Sequence, residues 1–436
     1  MPSREMSKLV NDMLARVEGE VKRIVCGGGG KAKGATFAEM ERMLAEELQR
    51  ISGAVQEKVV RDMVEEVEKG YGNSMRCSEC GGEMRFKGRV ERGILTRNGA
   101  IRFGRRVYWC GGCERGESPV ERRLGIPEGR WSIWVEELLG LMGMTWSFSK
   151  ASEMLSRMTG LKVSSTSVRE STEEHGKRLG ECYTRGELSR EWDYGKGDGR
   201  LYGYMDGAKA NIRGEGWKEI RYVLFRDVEG EQRHCRGWFE GSAACGERVR
   251  EEAIRLGASR AKEVVFTGDT ADWIWKEVSV NLPTAVQVAD FYHMSSHVHE
   301  CAEALYPGEE EERKRWVSEL LHVMKHEGAE FGLRWLKRRR PAKRVGREAI
   351  TELTKYIEKN VERMDYPRYQ AAGIPIGSGP VESLCKSVNT QRLKVSGARW
   401  NKKHAEAVAE LRCLFLSNAW DAYWQIQRRR CAGIAA

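Results

Sequence analysis

Ile376-Gly377-Ser378-Gly379-Pro380-Val381-Glu382-Ser383 lies near the C-terminus of a 436-residue chain and reads as a glycine-rich turn running into a helix. With Gly379 as cap and Pro380 at the first helical position, Glu382 becomes the third helical residue, where the helix dipole favours a carboxylate whatever its role. A full capping box would need Ser or Thr as the cap. Beyond it, Glu382, Lys386 and Asn389 fall at i, i+4 and i+7 on one polar face, with Arg392 and Lys394 further on. Val381, Leu384 and Val388 make the apolar face. Such a glutamate is a candidate metal ligand if other acids join it.

Two acids upstream can do so. After the glycine-rich break Tyr194-Gly195-Lys196-Gly197-Asp198-Gly199, the pattern turns strand-like. Leu201 to Met205, Ile220 to Phe225 and Arg236 to Phe239 read as strands, followed by a helix (Glu247 to Leu256), a strand (Val264 to Phe266), a helix (Trp273 to Val278) and a strand (Ala285 to Val288). This order predicts an α/β layer with a mixed sheet. Asp206 ends the first strand and Asp269 the fourth. Each alone fits a turn: Asp-Gly is a hairpin signal and Gly-Asp a strand terminator. Together, at carboxyl ends of strands in one sheet, they sit where α/β folds place their sites.

Three carboxylates can hold two Mg²⁺ ions, because hard cations take oxygen ligands and leave positions for water and phosphate. The chemistry that follows is in-line phosphodiester cleavage and transfer, without a Ser, Cys or Lys nucleophile.

The N-terminal part supplies a different metal pattern. Cys77-Ser78-Glu79-Cys80 and Cys110-Gly111-Gly112-Cys113 are two Cys-x-x-Cys pairs separated by 29 residues of strand-forming sequence. Each pair offers two sulfurs from one tight turn, which predicts a four-thiolate structural Zn²⁺ site on a ribbon. The same ribbon is basic: Arg76 to Arg130 holds 13 Lys and Arg against 7 Glu, including Arg102, Arg105 and Arg106. That charge suits phosphate contact. Upstream, Leu9 to Ile24 and Phe37 to Val59 carry helical periodicity, and the second helix could pair with another chain or pack on its own domain. The intervening Gly27-Gly28-Gly29-Gly30-Lys31 is followed by Ala32, not the Ser or Thr of a nucleotide-binding loop, and reads as a link. Downstream, Trp134, Leu138, Leu141 and Met142 share one helical face and Ala151, Met154, Leu155 and Met158 another. After Gly160, the hydroxyl-rich Ser164 to Ser167 caps a further helix, a helix-turn-helix-like arrangement whose second helix could enter a DNA groove.

Charge and composition agree with a nucleic-acid partner. The chain has 74 Lys and Arg against 64 Asp and Glu, a net +10, with a pI near 9.0. No apolar run reaches the roughly 18 residues of a membrane span, and Met1 to Glu5 does not start a signal peptide. A soluble, cytoplasmic, nucleoid-associated protein is the expectation. Twelve cysteines in such a chain read as reduced thiols apart from the two pairs.

The motifs also carry a family resemblance. The paired cysteines, Leu161-Lys162-Val163-Ser164, Met205-Asp206-Gly207-Ala208, Gly216-Trp217-Lys218-Glu219, Gly268-Asp269, Trp273-Ile274-Trp275, Asp290-Phe291-Tyr292-His293, the Ile376 to Ser383 stretch, Arg392-Leu393-Lys394 and Gly397-Ala398-Arg399-Trp400 resemble those of ISKra-type insertion-sequence transposases. These are relatives of the Mutator-like group. The resemblance implies an RNase H-like core with Asp206, Asp269 and Glu382 as DDE ligands for Mg²⁺ or Mn²⁺. Asp290 and His293 would be accessory, and Lys386, Arg392, Lys394 and Arg399 would meet DNA. Partners would be double-stranded DNA at the element ends and target, with a homo-oligomer assembled on it and no membrane.

The family usually has Gly-Asp-Gly-Ala at the second acid, whereas Thr270 follows Asp269 here and makes Asp272 a rival ligand. His293 and His297 lack the Glu of a His-Glu-x-x-His zinc motif. The expected organisation is an N-terminal helical region (1–70), zinc ribbon (71–130), helix-turn-helix-like domain (131–193), first part of the core (196–293), helical insertion (294–372) and the Glu-bearing second part (373–426). Within the chain's basic run, Arg334 to Arg340 with Lys343 and Arg344 is either a solvated helix face or a nucleic-acid surface. The competing functions are a transposase-derived, non-catalytic DNA-binding protein and a metal-dependent structure-specific nuclease.

Overall fold

The computed structural model describes residues 36–188 and 192–432, together with 15, 18, 19 and 22. Those four isolated positions are helical and exposed. The rest of the first helical pattern and the glycine run at 27–30 lie outside the described residues. The chain divides into two compact units, one running to Thr172 and resuming at Asp421, the other spanning Glu173–Trp420. The division falls inside a helix, upstream of the Tyr194 to Gly199 break.

The first unit begins with α1 (Phe37–Lys69), whose start is a capping box between Thr36 and Glu39. A four-stranded antiparallel sheet follows, in the order β1 (Ser74–Arg76), β2 (Glu83–Thr96), β3 (Gly99–Cys110) and β4 (Arg115–Glu117). The second half of α1 covers this sheet, with Val64 packed among Ile94, Ile101, Phe103 and Val120. The last of these lies on the short α2 (Pro119–Leu124). In the first half of α1, Phe37, Met40, Leu44 and Leu48 stay exposed.

Three helices continue the unit: α3 (Ile133–Thr145), α4 (Phe148–Thr159) and the start of α5 (Ser165–Thr184). Ser132, Ser147 and Ser164 accept the first free N–H groups of the three, and Gly160 ends α4. Val135, Leu139, Met142, Ala151, Leu155 and Val168 form their common core. Trp134, which shares a periodic face with Leu138, Leu141 and Met142, is exposed, with the guanidinium of Arg428 lying 4.6 Å from its ring centroid.

The second unit is a five-stranded mixed sheet with helices. Its strands are β5 (Arg200–Ile212), β6 (Gly216–Arg226), β7 (Arg233–Trp238), β8 (Glu263–Gly268) and β9 (Val286–Ala289), in the spatial order β7-β6-β5-β8-β9. The first three form an antiparallel meander, and β8 and β9 run parallel to β5. The crossovers are α6 (Ser242–Arg255) and α7 (Asp272–Asn281).

Five helices then separate β9 from the C-terminal part: α8 (Phe291–Leu305), α9 (Glu310–His326), α10 (Ala329–Lys337), α11 (Arg344–Asn360) and α12 (Tyr366–Ala371). They precede α13 (Gly379–Cys385), a π-helix over Lys386–Leu393, and α14 (Lys402–Leu416). The helix α15 (Trp420–Cys431) is the last among the described residues.

A buried charge network clamps the second unit. On β7, Arg236 donates to Glu252 of α6 at 2.8 Å and to Glu410 of α14 at 2.5 Å, while His234 Nε2 meets Glu252 at 2.8 Å. Two carboxylates satisfy a guanidinium that the fold has removed from water, as a buried cation requires, and His234 holds one of them. Among the described residues, no helix is long and apolar enough to cross a membrane.

Candidate functional site

The sheet register builds the first site. Residues Arg200 to Met205 of β5 pair in parallel with β8, and this pairing stops at Met205 opposite Gly268. Asp206 is the next residue on β5, and Asp269 is the first residue beyond β8. Asp206, expected from its Asp-Gly dipeptide to end the first strand, does not end it. The strand continues to Ile212 because β6 keeps pairing with it on the other side, Asp206 facing Tyr222. No hairpin turn forms at Gly207.

Asp206, Asp269 and Glu382 line one cavity of about 320 Å³, with Asp290, Tyr292, His293, Ser296 and Ser378. Asp206 accepts the N–H of Gly207 at 2.7 Å, and Asp269 accepts that of Ala271 at 2.9 Å. Burial pushes the carboxyl of Asp206 above its ordinary value, and the negative charges of Asp269 and Glu382 add to the rise. The Gly207 N–H and the Cys385 thiol, aimed at the same carboxylate, act the other way. Glu382 is half exposed on its side chain, and Lys386 stands 3.7 Å from it. Asp272 is turned away, outside the cavity lining, and ion-pairs with Lys359 at 2.5 Å. The acids share a cavity without closing on one point: among the described residues only a cysteine cluster brings three or more ligand atoms within 4.8 Å of one another.

Asp290 holds this arrangement together. It caps α8 by accepting the N–H groups of Tyr292 and His293, and its other oxygen accepts the N–H of Ser378 at 3.1 Å and the Ser378 hydroxyl. Two further backbone bonds, Asp290 N–H to Gly268 and Phe291 N–H to Ile376, tie β8, α8 and the turn before α13. Ser378, and not Gly379, is consequently the cap position of α13, with its hydroxyl committed to Asp290. The turn also needs Gly377, where a Cβ would come within 2.9 Å of the Tyr292 ring. His293 is exposed on the cavity side of α8, its ring 5.1 Å from that of His297.

The polar face read beyond Glu382 is only partly correct. A π-helix takes more residues per turn than an α-helix, so the i+7 position rotates inward. Asn389 is buried, donating to the Lys209 carbonyl at 2.9 Å and facing the Tyr222 hydroxyl at 3.4 Å. Arg392, expected to meet DNA, is only 3% exposed and lies 4.7 Å from the Trp400 ring centroid. Burial, then the charge of Arg412, draws its guanidinium down to about 10. Lys386, Lys394 and Arg399 are exposed.

The arginines of the first unit divide similarly. Arg102 is exposed, but Arg105 donates to Glu121 at 2.8 Å. Arg106 lies over the Phe86 ring and donates to the carbonyls of Tyr71 and Gly72. Arg105 and Arg106 therefore brace the sheet, with their guanidinium groups already donating to carboxylate and carbonyl oxygens.

The second site is the cysteine cluster. Cys77 and Cys80 lie in the turn joining β1 to β2, while Cys110 is the last residue of β3 and Cys113 lies in the turn that joins it to β4. Because Met84 pairs with Cys110, the two turns end up side by side at one end of the sheet. Gly81 supplies the positive φ of 68° that the first turn needs. All four sulfurs lie within 4.8 Å of one another. The N–H groups of Cys80 and Glu79 draw the Cys77 thiol down to about 7, whereas the facing Cys80 pushes Cys113 up to about 12. Four sulfurs this close cannot all ionise unless a cation compensates them. The donor set therefore fits a structural metal such as zinc.

Two site residues carried no usable sequence signal. Ser378 was hidden inside the turn motif, and Cys385 resembled any buried thiol until its place beside Asp206 was seen. No protein-family model matches the chain, and no curated protein matches it in sequence.

Proposed function

We propose that this protein is a metal-dependent enzyme of DNA phosphodiester chemistry, built on an RNase H-like core. Within that class the reading is a DDE transposase of the ISKra type, which binds the ends of an insertion sequence and cuts and joins DNA strands. The observation that carries it is the meeting of Asp206, Asp269 and Glu382 in one cavity, although Glu382 follows Asp269 by 113 positions. The strand order, an antiparallel meander extended by two parallel strands, supports the same reading.

The three carboxylates offer an all-oxygen donor set around one cavity, which suits Mg²⁺ or Mn²⁺. Such ions, when bound, supply the positive charge that stabilises attacking and leaving oxygens of an in-line displacement. The chain's own residues do the rest. Asp290 and Ser378 fix the helix that carries Glu382, Lys386 stands ready for a phosphate, and His293 faces the cavity from α8. The helix-turn-helix-like region and the cysteine-held sheet serve DNA binding, on which the chain assembles as a homo-oligomer at the nucleoid.

Purified protein with DNA carrying the element ends is expected to give metal-dependent cleavage and strand transfer. Asp206→Asn and Glu382→Gln should each abolish both. Undiminished transfer by both variants rejects the assignment. Cleavage without joining and without preference for the ends favours a structure-specific nuclease.

A further inference from the structure

The β5–β6 hairpin extends beyond the sheet's parallel part and carries an aromatic surface that the cavity does not use. Trp217 sits opposite Asn211 near the hairpin tip and is 55% exposed. The ammonium of Lys394 lies 5.8 Å from its ring centroid, and Arg213, Lys218 and Arg399 are exposed around it. The nearby acids are already engaged, Glu215 with Lys218 and Glu219 with Arg221.

The loop bearing Lys394 and Arg399 is firmly seated. Trp400 donates its backbone N–H to Asn211 and its ring N–H to Leu393, and Arg213 donates back to the Trp400 carbonyl. Buried Arg392 stacks on the inner Trp400 ring. One tryptophan thus anchors the loop while the other is left in solvent beside cations.

An exposed indole is costly to hydrate, and the Lys394 ammonium over one side of its ring makes an apolar protein partner a poor match. A nucleic-acid strand offers both complements, a base for the ring and phosphates for the cations. A base inside an intact duplex is already stacked, so the matching ligand has an unpaired base, as at an overhang or frayed end. Asn211 lies five positions beyond Asp206 on β5, roughly 17 Å along the strand, within reach of a DNA end held at the cavity.

We propose that Trp217 is a stacking platform for an unpaired DNA base, with Lys394 and Arg399 holding the flanking phosphates. This rests on the reading that the protein acts on DNA. The test is fluorescence anisotropy, without divalent metal, using a blunt duplex and the same duplex with a three-nucleotide overhang. Wild type should prefer the overhang, Trp217→Ala should lose about tenfold in affinity for it and little for the blunt duplex, and Trp217→Phe should retain the preference. An alanine variant that keeps the full preference overturns the platform, and leaves the cavity chemistry to be judged by Asp206→Asn cleavage assays. Wild-type protein that binds neither duplex overturns the platform together with the DNA reading.

Discussion

Asp290 accepts hydrogen bonds from both the backbone N–H and the hydroxyl of Ser378, a residue 88 positions further along the chain. The five helices between them leave the sheet after β9 and return to it at this contact. The Glu-bearing helix therefore starts at a point set by a buried carboxylate directly after β9, and its orientation does not depend on the conformation of the inserted helices alone.

Replacing Asp290 with alanine removes the acceptor for Tyr292, His293 and Ser378 at once. The expected cost is about 1–3 kcal/mol in urea unfolding, since the donors become unsatisfied in a buried site. Under the proposed function, strand cleavage should fall more steeply than stability, because Glu382 loses its anchor. Unchanged cleavage in a folded Asp290→Ala variant would show that Glu382 is positioned by other means.

The charge network gives a pH dependence with a definite sign. Burial alone would raise Glu252, but the hydrogen bond from His234 and the charge of Arg236 prevail and hold it at about 2. An unfolded glutamate titrates near about 4.3. Glu252 therefore contributes stability above that value, and the contribution is lost as pH falls through the window down to about 2. Glu252→Gln should cost about 3 kcal/mol at neutral pH by leaving Arg236 with one carboxylate, and should flatten the acid limb of a stability-against-pH curve.

The cysteine cluster predicts about one tightly held zinc per chain by elemental analysis, the balance of four facing sulfurs. Cys77→Ser should release the metal and loosen the β1–β4 sheet, seen as faster amide exchange in β2 and β3. Purified protein without bound metal would refute the site.

The two metal patterns differed in how far the sequence exposed them. Paired cysteines declare themselves because both members of each pair sit in one local turn, so spacing alone specifies the chemistry. The strands of the second unit were also legible, as runs of β-branched and aromatic residues between turns. Asp206 was placed at the wrong point of its strand, because Asp-Gly is a turn signal only when no neighbouring strand continues the pairing. Arg392 and Asn389 were assigned to a solvent face by an α-helical period that the π-helix does not keep. Arg105 and Arg106 looked like phosphate contacts because charge in a sequence does not reveal which carboxylates and carbonyls will face it.

Local order therefore determined the elements, the two cysteine turns and the identity of the candidate acids, since each depends on residues a few positions apart. The tertiary structure decided which acids meet. The end of parallel pairing between β5 and β8 sets Asp206 beside Asp269, and the Asp290 to Ser378 bonds bring Glu382 to the same cavity while Asp272 turns away to Lys359. Hydrogen bonds across such separations depend on register and helix phase, which no short stretch of the chain encodes by itself.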